Sequence, residues 1–420
     1  MSAPTVARGA AASYTRPHPV VVGMGAITPS GLDVERHWQA VLNGRTSVGS
    51  VSGFDASACS VRLAGQVRGF EPERHLPDRL LAQTDRVTRL ALATAAAALD
   101  QARLDGSGLS DLDLGVVLSN GQGGSEFTHR EFRKLWSQGP KLVSVYESFA
   151  WFYAANTGQI SIRHGMRGPC GVLVAEQAGG LDALGQGRRS IRRGARLIVG
   201  GGFDSAFDPW GFIAQNSHGR VSRESDPRLA YRPFDRDAGG HLPGEGGAVL
   251  VMEDAGSARD RDVPPLGEIA GHAATFDPPP GSDRPPALRR AIKLALADAG
   301  VTTVDVVFAD AAGLPGPDRV EADALAAVFG PRRVPVTAPK AGFGRLGAGG
   351  GPVDAVTALL AMRDSVIPPT PHTADVPDGY GIDLVTGAPR ETRIGTALVL
   401  ARGHGGFNSA LVLRGPRPTN

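Results

Sequence analysis

Cysteine is nearly absent from this chain: only Cys59 and Cys170 occur in 420 residues. Two cysteines cannot form the framework of a small secreted domain, and such sparing use fits a reducing cytoplasm. A bridge between them has little support. No apolar run approaches the roughly 18 residues that a bilayer-spanning helix needs. The first 18 residues, MSAPTVARGAAASYTRPH, lack the uninterrupted apolar stretch of a secretory signal and read as a frayed tail. An excess of one charge is lacking too. The 44 basic residues against 42 acidic ones leave a net charge of +2, which excludes the basic excess of a nucleic-acid-binding surface. Lysine supplies only Lys134, Lys141, Lys293 and Lys340; the other basic residues are arginine, a bias typical of high-GC coding sequence. The expectation is a soluble, cytoplasmic protein that binds neither nucleic acid nor membrane.

Glycine and proline are abundant. With 57 and 32 copies they make up about a fifth of the chain without a Gly-X-Y period, so many tight turns and close backbone approaches are expected. Hydrophobic residues at 41% and charged ones at 20% are ordinary for a globular protein long enough to bury a large core. PVVVGMGAIT, residues 19–28, reads as a buried strand entering a glycine-rich loop. Residues 79–104, rich in Ala and Leu, read as one long helix whose alanine face suggests close packing. Strand signals follow at 114–118, 171–175, 197–200 and 248–252, with helical stretches between the first three. After Glu253 comes the polar, proline-containing stretch DAGSARDRDVPP, and the same order of elements starts again. Strands are expected at 266–273, 304–309 and 396–401, and helices at 286–299, 318–328 and 351–363. The fold class is α/β, with two similar halves at 19–255 and 256–420, although no strong sequence repeat marks the duplication.

Two features invite chemistry that the pattern does not sustain. Gly23-Met24-Gly25 follows a strand as a dinucleotide-binding loop would, but Thr28 stands at the third glycine position and no acidic residue ends a second strand. Cys170 has no nearby base to ionise it and is expected to be a small, buried apolar residue. The sharpest local feature is GVLVAEQAGGLDAL, residues 171–184, a strand turning abruptly into a helix through small residues. Such an elbow exposes one side chain beside a helix N-terminus, and here that residue is Gln177. An amide cannot carry an acyl group as a thiol does, though it can hydrogen-bond a carbonyl or enolate or bridge backbone groups.

These residues carry a resemblance. VAEQAGGLD at 174–182, VYESFAWFY at 145–153, PFD at 233–235 with PGEGG at 243–247, and GHGGFN at 403–408 resemble the chain-length factor, or ketosynthase beta subunit, of bacterial type II aromatic polyketide synthases. The resemblance covers residues 19–415. It implies a thiolase-like fold of two related βαβαβ-type halves in five layers, α-β-α-β-α. Condensing members hold the acyl chain on an elbow cysteine and use two histidines for decarboxylation. By resemblance the cysteine position matches Gln177. The first histidine matches Asp310 when Asp318, Arg319 and Glu321 are aligned, and the second matches Arg345 when Lys340 and Gly344 are aligned.

The resemblance therefore implies a subunit that does not condense alone and binds no cofactor of its own. It would form a heterodimer with a cysteine-bearing ketosynthase alpha subunit and work with an acyl carrier protein that supplies the phosphopantetheine arm. It also implies that residues 123–132 line the end of the polyketide tunnel. Ser125, Thr128 and Phe132 are spaced i, i+3 and i+7, which puts them on one helix face, whereas Phe127 and Phe132 could equally be core residues. A small Ser125 beside a bulky Phe132 makes a partly open gate, from which a product longer than an octaketide is expected. For Gln177, assistance in priming by malonyl decarboxylation stands beside a purely structural role. Arg188, Arg189, Arg192 and Arg193 could meet an acidic carrier protein, or simply favour a helix C-terminus.

Overall fold

A computed structural model describes residues 17–416, so all but the last two residues of the expected tail lie outside it. Five strands build the first half: β1 (Pro19–Ile27), β2 (Leu114–Ser119), β3 (Cys170–Leu173), β4 (Leu197–Asp204) and β5 (Gly246–Asp254). They pair in the order β3-β2-β4-β5-β1. The second half uses β6 (Gly267–Phe276), β7 (Val306–Phe308), β8 (Pro335–Thr337), β9 (Thr396–Arg402) and β10 (Phe407–Arg414), in the order β8-β7-β9-β10-β6, and adds one two-residue strand, Asp383–Leu384, parallel to β8 on its outer edge. The two orders are the same, and so are the directions. β2 runs parallel to β3 and β4, β7 runs parallel to β8 and β9, and the other pairs among β1 to β10 are antiparallel. The repeat that the sequence hides is explicit in the topology. The halves join edge to edge at only two residue pairs, Val20 with Glu268 and Val21 with Gly267.

The helices used below are α1 (Val34–Leu42), α2 (Arg86–Gln101), α3 (Ser125–Gln138), α4 (Ala155–His164), α5 (Gly179–Arg192), α6 (Pro209–Asn216), α7 (Leu288–Ala299), α8 (Pro315–Phe329) and α9 (Gly350–Asp364). α2 and α4 cover the outside of the first sheet, α7 and α8 the outside of the second, and α5 and α9 lie between the sheets. This is the expected five-layered α-β-α-β-α architecture. Every residue of α9 from Gly350 to Met362 is buried, so this helix has no polar face, as a helix enclosed on all sides requires. Small residues permit the close packing. A Cβ on Gly23 would stand 2.2 Å from the Ala98 carbonyl of α2, and one on Gly180 would stand 2.1 Å from the Ala348 carbonyl. The Gly-Met-Gly of β1 thus serves helix packing against the alanine face of α2.

Three expectations need correction. The single helix over 79–104 is two, Asp78–Gln83 and α2, because Asp85 takes an extended conformation and its carboxylate accepts the Val87 N–H. α1 and β10 were not anticipated, although Asp33 caps α1 and the ALVL run of β10 carries strand character. Cys170 is exposed, not buried, because β3 is the outermost strand of its half and has a neighbour on one side only. Both cysteines are free.

Candidate functional site

The elbow is present, but it turns the opposite side chain outward. Between β3 and α5 the chain makes one 3-10 turn, Glu176–Ala178, entered with Glu176 in the left-handed region at φ 51°. Such a conformation costs a non-glycine residue about 1–2 kcal/mol and persists only when its surroundings hold it. Here the Glu176 carboxylate accepts the His404 N–H at 2.7 Å, tying the GHGG loop to the elbow. Glu176 therefore faces solvent, while Gln177 is 1% exposed and lies against the start of α9. A Cβ on Gly350 would stand 2.3 Å from the Gln177 Nε2. Among the described residues neither amide atom of Gln177 has a hydrogen-bond partner. The expectation of an exposed Gln177 is thus corrected: the left-handed turn at Glu176 rotates the next side chain into the middle layer.

Above the elbow lies a cavity of about 140 Å³ whose lining includes Glu176, Asp310 and Arg345. Asp310 and Arg345 therefore reach the same place, and they occupy each other. Arg345 donates through Nη2 to Asp310 Oδ1 at 3.0 Å and through Nη1 to Oδ2 at 3.1 Å and to the Asp310 carbonyl at 2.9 Å. Asp310 also accepts the Arg402 N–H at 2.8 Å. Burial alone would raise the Asp310 carboxyl, but the Arg345 guanidinium outweighs it and, with help from Lys340, holds the group below the ordinary carboxylate range. The pair is a permanent ion pair with no free base.

The anchor residues explain how Asp310 is aimed. Glu321 accepts the backbone N–H groups of Asp310 and Ala311 at 2.8 and 2.9 Å, and Asp318 accepts those of Phe234 and Gly313 at 2.8 and 3.0 Å. Lys340 donates to the Ala309 carbonyl at 2.7 Å. Arg319 stays at the surface, paired with Asp323.

Three histidines that sequence reasoning did not collect line the same cavity. His218 lies with its ring centroid 6.0 Å from those of both His241 and His404. His218 and His241 lie far apart in the one segment between α6 and β5, and His404 lies between β9 and β10, so no short spacing groups them. Burial first, then the Arg345 charge, pushes His241 well below its ordinary value; burial and the neighbouring His404 lower His218. Both are therefore neutral near pH 7. No cysteine lines this cavity, so it offers no thiol nucleophile.

A second, larger cavity of about 700 Å³ lies beside α3. Ser125, Thr128 and Phe132 all line it, together with Trp151, Tyr153 and Trp210. Phe127, on the other side of the helix, is a core residue at 1% exposure. α3 is firmly placed. The Ser125 hydroxyl donates to Asp208 Oδ2 at 2.8 Å, the same carboxylate caps α6, and Asp85 accepts the Phe127 N–H at 2.8 Å. One carboxylate, Asp85, thus ends the break before α2 and pins the first turn of α3. Trp151, Tyr153 and Trp210, which line the cavity, are themselves exposed, as is Phe152, packed on Trp151.

The arginine run divides. Arg188 is 3% exposed and donates to the Ile269 and Ala270 carbonyls of β6 and to Asp298 of α7, stapling the middle layer to the second half. It is therefore not part of any docking surface, since α5 is a central helix and position 188 faces inward. Arg189, Arg192 and Arg193 are exposed. Among the described residues no helix is long and apolar enough to cross a membrane.

Known proteins share this chain's sequence over nearly its whole length. The model "Beta-ketoacyl synthase, N-terminal domain" matches residues 19–258, and "Beta-ketoacyl synthase, C-terminal domain" matches 266–374. The chain is 59% identical over 403 residues to the actinorhodin polyketide beta-ketoacyl synthase 2 of Streptomyces coelicolor, spanning 95% of this chain and 99% of that one. It is 54% identical over 403 residues to the tetracenomycin polyketide synthase ketoacyl synthase beta subunit of Streptomyces glaucescens, spanning 95% and 98%. The solved structure of the ishigamide ketosynthase/chain length factor superposes with a TM-score of 0.84 at 26% identity, over 96% of this chain and 100% of that one. With both halves matched and such relatives spanning its length, the chain belongs to the beta-ketoacyl synthase family, in its polyketide chain-length-factor branch.

Proposed function

We propose that this chain is the non-condensing subunit that sets product length in a type II aromatic polyketide synthase. It pairs with a cysteine-bearing ketosynthase alpha subunit, and its α3 cavity bounds the tunnel into which the poly-β-keto chain grows. An acyl carrier protein brings that chain on its phosphopantetheine arm, in the cytoplasm. The observation that carries this reading is the placement of Ser125, Thr128 and Phe132 on one wall of a 700 Å³ cavity rimmed by exposed aromatic side chains, while the Asp310–Arg345 pair closes the other site. A cavity of that size suits an extended small molecule. The exposed aromatic side chains around the cavity suit a large partner. The small Ser125 leaves room for a product longer than an octaketide.

The test is the mass distribution of products from the chain reconstituted with its ketosynthase, carrier protein and malonyl donor, wild type against Ser125→Phe. Shorter polyketides at comparable total turnover are expected; unchanged lengths would overturn the reading and favour a scaffold that affects yield alone. Priming by Gln177 is the second reading, and its two unpartnered amide atoms favour it. Its burial behind Glu176 weighs against it. A Gln177→Ala heterodimer that releases carbon dioxide from malonyl carrier at the wild-type rate would eliminate it. Arg189, Arg192 and Arg193 remain as a carrier-protein contact, to be tested by whether their change to Glu raises the KM for the carrier.

A further inference from the structure

Two turns at the rim of the smaller cavity are held together by rings that can take up protons. Residues 217–220 follow α6, and residues 403–406 form the turn between β9 and β10. Each carries an exposed histidine that also lines the cavity, and the His218 and His404 rings stack with 22° between their planes. His241 lies beneath, its ring 6.0 Å from that of His218 and 6.4 Å from that of Tyr231. The two turns are not equally secured. The second is framed by the paired residues Arg402 and Asn408, and its His404 N–H is bound to Glu176. The first opens the irregular segment 217–245, tied by single bridges such as Val221 with His241.

One contact closes the first turn. The Arg220 N–H donates to His218 Nδ1 at 3.3 Å, which requires that nitrogen to be unprotonated. Protonation sets a donor against a donor. It also upsets a balance of charge: the cavity is lined by the guanidiniums of Arg220, Arg345 and Arg402 and by the carboxylates of Glu176, Asp277 and Asp310. These cancel only while the three imidazoles are neutral. We propose that His218 is a pH-sensitive latch: neutral, it closes the 217–220 turn and clasps it to His404; protonated, it loses its hydrogen bond and is repelled, so that mild acid releases the turn from the rim. The latch does not depend on the length-setting function of the α3 cavity. The electrostatics run the same way. Burial first, then His404 and Arg220, lower His218, and Glu176 and the residue's own carbonyl offset only part of this. Because the folded value lies below the unfolded one, the turn is held at neutral pH and loosens as pH falls below the ordinary histidine value of 6.5.

The experiment is hydrogen–deuterium exchange of the chain in its heterodimer with the ketosynthase, at about pH 8 and about pH 5. Each rate is divided by its intrinsic rate at that pH, so that protection is compared. The buried helix α9 reports global unfolding. Protection of residues 217–222 is expected to fall about two- to fivefold more than that of α9 on acidification, the range that one exposed charge pair commands. His218→Asn keeps an acceptor for the Arg220 N–H but takes up no proton, and is expected to leave the turn equally protected at both pH values. A wild-type turn that is equally protected at both, or that loosens only in step with α9, overturns the latch. A His218→Asn turn that still loosens in acid overturns it as well, because another group would then carry the change.

Discussion

Phe132→Ala is the substitution that most directly measures the wall of the cavity. The Phe132 ring lies edge-on to Trp136 at 5.3 Å and tilted against Trp210 at 5.9 Å, with the cavity on its free side. Truncating a fully buried phenylalanine costs about 3–5 kcal/mol. Phe132 is only partly buried and already borders open space, so the expected loss is nearer to about 1–2 kcal/mol, including its aromatic contacts. The heterodimer should survive that. The ring reaches about 4 Å beyond Cβ, and one ketide unit of two carbon–carbon bonds spans about 2.5 Å of extended chain. Its removal therefore admits one to two further units. The assay is mass spectrometry of total products at matched malonyl consumption, with circular dichroism melts to show that the chain is folded. Unchanged or shorter products from a folded, assembled Phe132→Ala would refute the reasoning.

Breaking the ion pair in the smaller cavity by Asp310→Asn should destabilise the chain by about 3–5 kcal/mol in denaturant titration, whereas Asp310→Leu with Arg345→Met should recover much of that loss. Because Asp310 is held below its ordinary value, the stability it contributes is present above the unfolded carboxylate value near pH 4 and is lost as pH falls through the folded one. Asp85 has the opposite sign. Burial pushes it up to about 7, so the folded chain keeps a proton that the unfolded chain has released, and stability falls as pH rises from about 4 to about 7. Asp204 and Asp318, also raised to about 7 by burial, and Asp354, raised to about 6, act in the same direction, so Asp85→Asn should remove only a minor part, about a quarter or less, of the fall in Tm between pH 5 and 8. Cys170, exposed on the edge of β3, should react with a thiol reagent in the isolated chain and be protected in the heterodimer; equal labelling in both would move the interface elsewhere.

The repeating α/β order, most element centres and the α3 face were legible because each rests on a local pattern. Ser125, Thr128 and Phe132 needed only helical spacing to fall on one wall. What was not legible depends on contacts distant in sequence. The elbow was read correctly as strand-to-helix, yet a left-handed Glu176, held by the His404 backbone, decides which side chain is outside. Arg188 resembles its exposed neighbours until β6 and α7 close over it. His404 meets His218 and His241 from the far end of the chain, and Asp318 reaches back to the Phe234 N–H of the first half. The break at Asp85 was visible in principle, since Thr-Asp before an alanine-rich run is a cap signal, but helix propensity on both sides concealed it.

The inward turn of position 177 bears on whether a single substitution could place a nucleophile at the elbow. Restoring a cysteine there would place a thiol against Gly350 in the middle layer, beside a cavity whose charged floor is already satisfied. A working nucleophile would require the turn at Glu176 to relax and a base that the Asp310–Arg345 pair, already satisfied, does not provide. Each of these changes is unfavourable or useless without the others. Gaining a nucleophile here would thus take several interdependent changes, and one substitution at position 177 does not supply it.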